Sequence, residues 1–263
     1  MTASAALDVS AAIGVAKRVE ALRFRVADWM ALSPVLQERQ QWLAWAGGAP
    51  SGVAAAPEPA LPTALRRRVS TIGQMMFRAI YRLGDIPPAR FVFCSRHGEY
   101  RRTQALLDTL AMREEPSPAE FSLSVHNALA GLLSIAWQND AGHTAVAAGS
   151  DSFCFGLLEA AACLKAMPQE PVLLAYFDEP LPEEYAAFGD RGDSSLALAL
   201  LLAPALGDGG DLTVSFEGKC AGDPARPPST EQARDFLRFL LSGEGERMSP
   251  GGIVRWRWRR GAA

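Results

Sequence analysis

The sequence predicts an α/β layered domain with a mostly parallel sheet, on three observations. Apolar runs of strand length alternate with stretches of helical period along most of the chain. Two of the runs, Pro171–Phe177 and Ser195–Ala203, are apolar without alternation, as strands covered on both faces are. The 263 residues, 49% of them hydrophobic, suffice for one sizeable core, and no internal repeat marks a second domain. Residues 1–263 are therefore expected to form a single domain.

Val19–Val26 sets Leu22, Phe24 and Val26 between Arg23 and Arg25 and reads as a strand. The segment with Trp29, Trp42 and Trp45 carries no clear period. Gly47–Pro62, rich in Gly, Pro and Ala, reads as a flexible loop. Leu65, Val69, Ile72, Met76, Ile80 and Leu83 predict one helix with a buried face, stopped by Gly84 and Pro87-Pro88. Phe91–Cys94 is a short buried strand and Arg101–Met112 a helix. Ser117 is an N-cap with Pro118 at the first helical position, opening a helix to about Trp137. His143–Gly149 is a strand of small residues and Phe153–Met167 an apolar helix. Between Pro171–Phe177 and Ser195–Ala203 there is no convincing helix, which allows one of them to run antiparallel. Leu212–Phe216 is a further short strand and Arg234–Leu241 a last helix.

Composition narrows the function. A net charge of −3 with both signs mixed along the chain gives no reason to expect nucleic acid. Cys94, Cys154, Cys163 and Cys220 form no CxxC pair and stand at no ligand spacing from a histidine, so neither a metal nor a cofactor is expected. Met1–Ala16 lacks the pattern of a secretion signal, and the longest apolar stretch, Leu196–Leu206, is short for a membrane span. A reduced, cytoplasmic protein is the expectation.

Ser117–Ile135 reads Ser-Pro-Ala-Glu-Phe-Ser-Leu-Ser-Val-His-Asn-Ala-Leu-Ala-Gly-Leu-Leu-Ser-Ile, and His143–Phe153 follows with Gly149-Ser-Asp-Ser before the next helix. These two blocks and their spacing resemble the ketosynthases of fatty acid and polyketide pathways. The resemblance covers Leu61–Ala203. With Arg96-His-Gly-Glu99 and Asp178-Glu-Pro-Leu-Pro182 it is similar, more narrowly, to short chain-length-factor-like subunits of aryl polyene clusters. It implies a thiolase-like half-fold, a three-layer α/β/α arrangement around a mixed five-stranded sheet. Its strands would be Val19–Val26, Phe91–Cys94, Thr144–Ala148, Val172–Phe177 and Ser195–Ala203.

Ketosynthases place a cysteine at the tip of the strand, where the helix N-terminus lowers its pKa and backbone amides hold the oxyanion. By the resemblance, Ser150 occupies that cysteine's position. The family also needs two histidines from its second half, and none follows His143 here. The implied function is thus a subunit not catalytic alone, forming a heterodimer with a full-length ketosynthase and meeting acyl carrier protein through the complex. Thr144, Ala145, Val146, Ala147 and Ala148 would be the partner interface. The alternative is a Ser150-dependent decarboxylase or acyltransferase on carrier-protein thioesters.

Other features carry two readings each. Ser150 or Asp151 is read as the cap of the following helix before it is read as a nucleophile, because the GxSxG elbow is absent. His126 and Asn127 are read as a buried packing pair, His97 as a loop residue and Cys94 as core. Arg191-Gly-Asp193 is read as a turn. The basic aromatic tail, residues 255–263, is read as an edge strand with buried tryptophans and wet arginines. Its alternative is a peripheral membrane contact through Arg255–Arg260.

Overall fold

The computed structural model describes residues 21–49, 59–189, 194–219, 230–252 and 254–261. In chain order the first elements are β1 (Leu22–Leu32), α1 (Arg39–Ala46), α2 (Thr63–Arg66), α3 (Thr71–Tyr81) and β2 (Arg90–Cys94). Then come α4 (Tyr100–Ala111), α5 (Pro118–Ser122), α6 (Ala128–Trp137), β3 (His143–Val146), α7 (Ser152–Ala166) and β4 (Val172–Asp178). The last are β5 (Leu196–Ala203), β6 (Leu212–Lys219), α8 (Glu231–Ser242), β7 (Glu246–Pro250) and β8 (Val254–Arg260). No helix among the described residues is long and apolar enough to cross a membrane.

The strands form one sheet in the order β3-β2-β4-β5-β1-β6-β8-β7. β2, β3 and β4 are parallel. β5 runs antiparallel to β4, with Ala175 opposite Ala199, as the missing crossover helix allows. Both strands are sealed on two faces. Leu174 and Leu200 pack toward Phe153, Leu157 and Phe236 of α7 and α8. Leu173, Phe177 and Ala199 pack toward Ile72, Met76 and Leu133 of α3 and α6. That is the three-layer α/β/α arrangement, and it explains the unbroken apolar runs.

The sheet has eight strands, not five. β6, β8 and β7 extend it beyond β1, and this half is covered on one face only, which is why its sequence alternates. Trp256 and Trp258 are fully buried, Trp258 beside Phe236 and Phe239 of α8 and Trp256 beside Phe155 of α7 and Phe216 of β6. On the opposite face Arg257 pairs with Glu217 at 3.0 Å and Arg259 with Glu246 at 2.7 Å. The tail strand is therefore interior to the sheet, flanked by β6 and β7, and not an edge. The membrane-contact reading of Arg255–Arg260 is corrected with it: the tryptophans that would enter the lipid interface are already core.

Two predicted helices are each split. Leu65–Leu83 divides into α2 and α3 because Ser70 caps α3, its Oγ accepting from the Gly73 N–H at 3.3 Å. Ser117 caps as predicted, accepting from the Glu120 N–H at 3.4 Å, but α5 ends at Ser122 and α6 starts afresh at Ala128. His126 and Asn127 thus lie in the intervening turn, with Asn127 exposed. Residues 19–20, most of the predicted 47–62 loop, the Arg191-Gly-Asp193 tripeptide and Cys220 lie outside the described residues.

Candidate functional site

β3 ends at Val146 and turns sharply into α7 through Gly149–Asp151. The tightest point is Gly149, at φ +60°. Residues with a Cβ rarely adopt that backbone. A Cβ there would meet nothing within 4 Å, so conformation and not crowding calls for glycine. The exposed tip of the turn thus carries no side chain. Ser150 follows it and is turned inward, 5% exposed. Neither Ser150 nor Asp151 caps α7 through its side chain. Ser152 fixes the turn instead: its Oγ accepts from the Ala148 N–H at 3.0 Å and donates to the Gly149 carbonyl at 2.7 Å.

Behind the turn lies a polar cluster that the sequence did not reveal. Asp151 is fully buried, and its Oδ1 accepts from Trp256 Nε1 at 2.9 Å and from Gln232 Nε2 at 2.6 Å. One carboxylate thereby ties α7 to α8 and β8. The turn between β7 and β8 closes over it. A side chain at Gly252 would come within 2.5 Å of Ser150 Oγ, and one at Gly251 would run into Asp151 Oδ1. Ser249-Pro-Gly-Gly252, lying between two strand-like stretches, was the available hairpin signal.

A second buried carboxylate closes the ends of β2 and β4. Asp178 accepts from Ser95 Oγ at 3.1 Å, the Arg96 N–H at 2.9 Å, the His97 N–H at 3.2 Å and Tyr176 Oη at 3.1 Å. Burial pushes its carboxyl up to about 6, against the downward pull of these four donors. His126 Nε2 lies 3.0 Å from the Ser95 carbonyl, which only accepts, so that nitrogen carries its proton and is occupied. No histidine hydrogen-bonds Ser150 among the described residues. Burial raises the thiols of Cys94 and Cys154 well above the ordinary range, and Cys163 is raised as well. None of the three is poised as a thiolate.

The strand leading to the turn is an edge. β3 pairs with β2 alone, from Phe91 opposite His143 to Cys94 opposite Val146. Its side chains are half-buried, unlike those of β2 and β4. α6, which packs against β3, exposes Ile135, 74% accessible, and α5 and the turn before α6 expose Phe121 and Val125.

A family model described as beta-ketoacyl synthase, N-terminal domain, matches residues 40–259. That span is wider than the Leu61–Ala203 stretch in which the sequence alone shows the likeness. Among solved structures, a chain of the ketosynthase (ApeO) in complex with its chain length factor (ApeC) from Xenorhabdus doucetiae aligns at TM-score 0.78 and 30% identity. The alignment covers 91% of this chain and all, 100%, of that one. A chain of the ishigamide ketosynthase/chain length factor aligns at TM-score 0.64 and 14% identity, covering 92% of this chain and 100% of that one. A beta-ketoacyl synthase from Burkholderia phymatum STM815 aligns at TM-score 0.54 and 12% identity, covering 85% and 71%. At those lower identities the likeness is one of fold. No curated protein sequence matches the chain.

Proposed function

This chain belongs to the family of beta-ketoacyl synthase N-terminal domains, and on that premise we propose that it is a non-catalytic, chain-length-factor-like subunit. It pairs with a full-length ketosynthase in aryl polyene-type polyketide biosynthesis, and the partner performs the condensation on acyl chains held by acyl carrier protein. The observation that carries this reading is the bare turn tip at Gly149. A nucleophile needs a side chain at the exposed, strained point of a strand-to-helix turn, with a base in hydrogen-bond reach. Here that point has no side chain, and the neighbouring Ser150 hydroxyl is buried with no histidine hydrogen-bonded to it.

The partner follows from the edge. Thr144–Ala148 contains most of the strand that leaves backbone donors and acceptors unpaired on one side, and its residues are small enough for a second backbone to approach. A 30%-identical chain, matched whole, comes from a ketosynthase in complex with its chain length factor, which supports the same pairing here.

Co-expression of a tagged form with the ketosynthase of its own gene neighbourhood tests the reading. A stoichiometric complex is expected that condenses malonyl and acyl carrier proteins, whereas the chain alone neither condenses nor decarboxylates them. Decarboxylation of malonyl carrier protein by the purified chain, abolished in Ser150→Ala, would overturn it.

A further inference from the structure

A cleft of about 600 Å³ opens at the end of the sheet opposite the Gly149 turn, near the start of β2. The chemistry of its walls is one-sided. Tyr81, Phe91 and Trp137 line it as an aromatic cluster, with ring centroids 5.7 Å apart for Tyr81 and Trp137 and 6.0 Å for Phe91 and Trp137. The exposed Asp85 and Asp140 stand at its rim, and none of the lining residues is basic. Arg90, next in sequence to the lining, lies instead against Gly142 and Cys163.

Two further features favour positive charge. The C-terminal ends of α3 and α6, at Tyr81 and Trp137, both reach this cleft, and helix C-termini carry partial negative charge. α3 has Arg78 in its last turn to offset it, and α6 has no basic residue there. Asn139 donates its amide to the Ala89 carbonyl at 2.8 Å, which fixes the carboxamide and leaves its buried Oδ1 without a donor among the described residues.

Aromatic rings, rim carboxylates, the C-terminus of α6 and a buried acceptor in the wall share one complement. We propose that the cleft binds an organic cation, a guanidinium or ammonium group on an apolar stem, held over the rings by cation–π attraction and by Asp85 and Asp140. The group can belong to a free small molecule or to an arginine or lysine side chain of another protein.

Calorimetric titration of the intact chain with n-butylguanidinium and with N-acetylarginine N-methylamide separates these sources. Saturable binding is expected, weakened about tenfold in the double variant Asp85→Asn/Asp140→Asn. Both positions are exposed, so the fold is preserved. Glu114→Gln/Glu115→Gln removes the same charge from an exposed segment outside the cleft and should bind as wild type does. Tighter binding of the blocked arginine points to a protein side chain, and tighter binding of the free guanidinium to a small molecule. No saturable binding by either probe, or equal loss in the control variant, overturns the proposal. Neither outcome depends on the ketosynthase pairing proposed above.

Discussion

Gly149 and Ser150 divide between them what a nucleophile needs in one residue: the glycine has the exposed, left-handed backbone, and the serine has the hydroxyl but faces inward. Ser150→Ala should therefore leave condensation by the assembled pair within about twofold of wild type, about 0.4 kcal/mol in barrier terms. A loss beyond about tenfold with the complex intact would mean that the hydroxyl takes part in chemistry. Asp178 makes a prediction about pH. Its folded carboxyl titrates at about 6, above the 3.8 of an unperturbed aspartate, so the folded state holds a proton that the unfolded state has released. That contribution is full below about pH 4 and is lost as pH rises through about 6; at 1.36 kcal/mol per pKa unit it amounts to roughly 3 kcal/mol. Urea unfolding across that window should show the decline in wild type, and Asp178→Asn should remove this part of the slope even though the amide costs stability at every pH. An unchanged slope in the variant would assign the titration to another group.

Among the elements, β8 shows best why an alternating sequence is informative and where it stops being so. Arg-Trp-Arg-Trp-Arg-Arg predicts one buried and one wet face, and the structure has both, but the alternation says nothing about which strands flank it. Its place inside the sheet depends on β7, a short strand whose Arg247 and Pro250 carry no strand signature. Trp256→Phe tests the bond from β8 to the Asp151 cluster. It keeps the aromatic packing but removes the indole donor to a fully buried carboxylate, so it should cost about 1–3 kcal/mol in urea unfolding. A change under about half a kcal/mol would mean that Asp151 is satisfied without the indole. The split helices have a similar lesson. Apolar period runs straight through Arg67–Ser70 because Leu65 and Ile72, on either side of that break, face the same core, whereas α5, before the second break, buries no side chain. Only the cap at Ser70 shows where the chain leaves the helix. The fold class was thus legible from period and run length. The Asp151 cluster was not, because it joins residues 81 and 105 positions apart.

At the scale of the whole molecule the sheet ends in two unlike edges. β7 is guarded, with Glu246, Arg247 and Pro250 in a five-residue strand, the usual means of keeping an edge unpaired. β3 has only His143, Thr144, Ala145 and Val146, with no proline and no fixed charge. An unguarded edge flanked by α6 with its exposed Ile135 is a surface made to be covered. The ladder shows which residue to change. The Phe91 and Ser95 N–H groups donate to the Gly142 and Val146 carbonyls at 3.1 and 3.2 Å, so these two residues use their backbone groups toward β2. Alternation in a parallel ladder then directs the amide and carbonyl of Ala145 outward, to the open side. Proline is tolerated on an edge strand where its missing N–H would have faced solvent. Ala145→Pro should accordingly fold, with a circular dichroism spectrum and melting profile near wild type, yet fail to hold the ketosynthase in a pull-down. Val146→Pro would instead cut the ladder to β2 and destabilise the chain itself. A folded Ala145→Pro variant that still captures the partner in full amount would place the interface on another face.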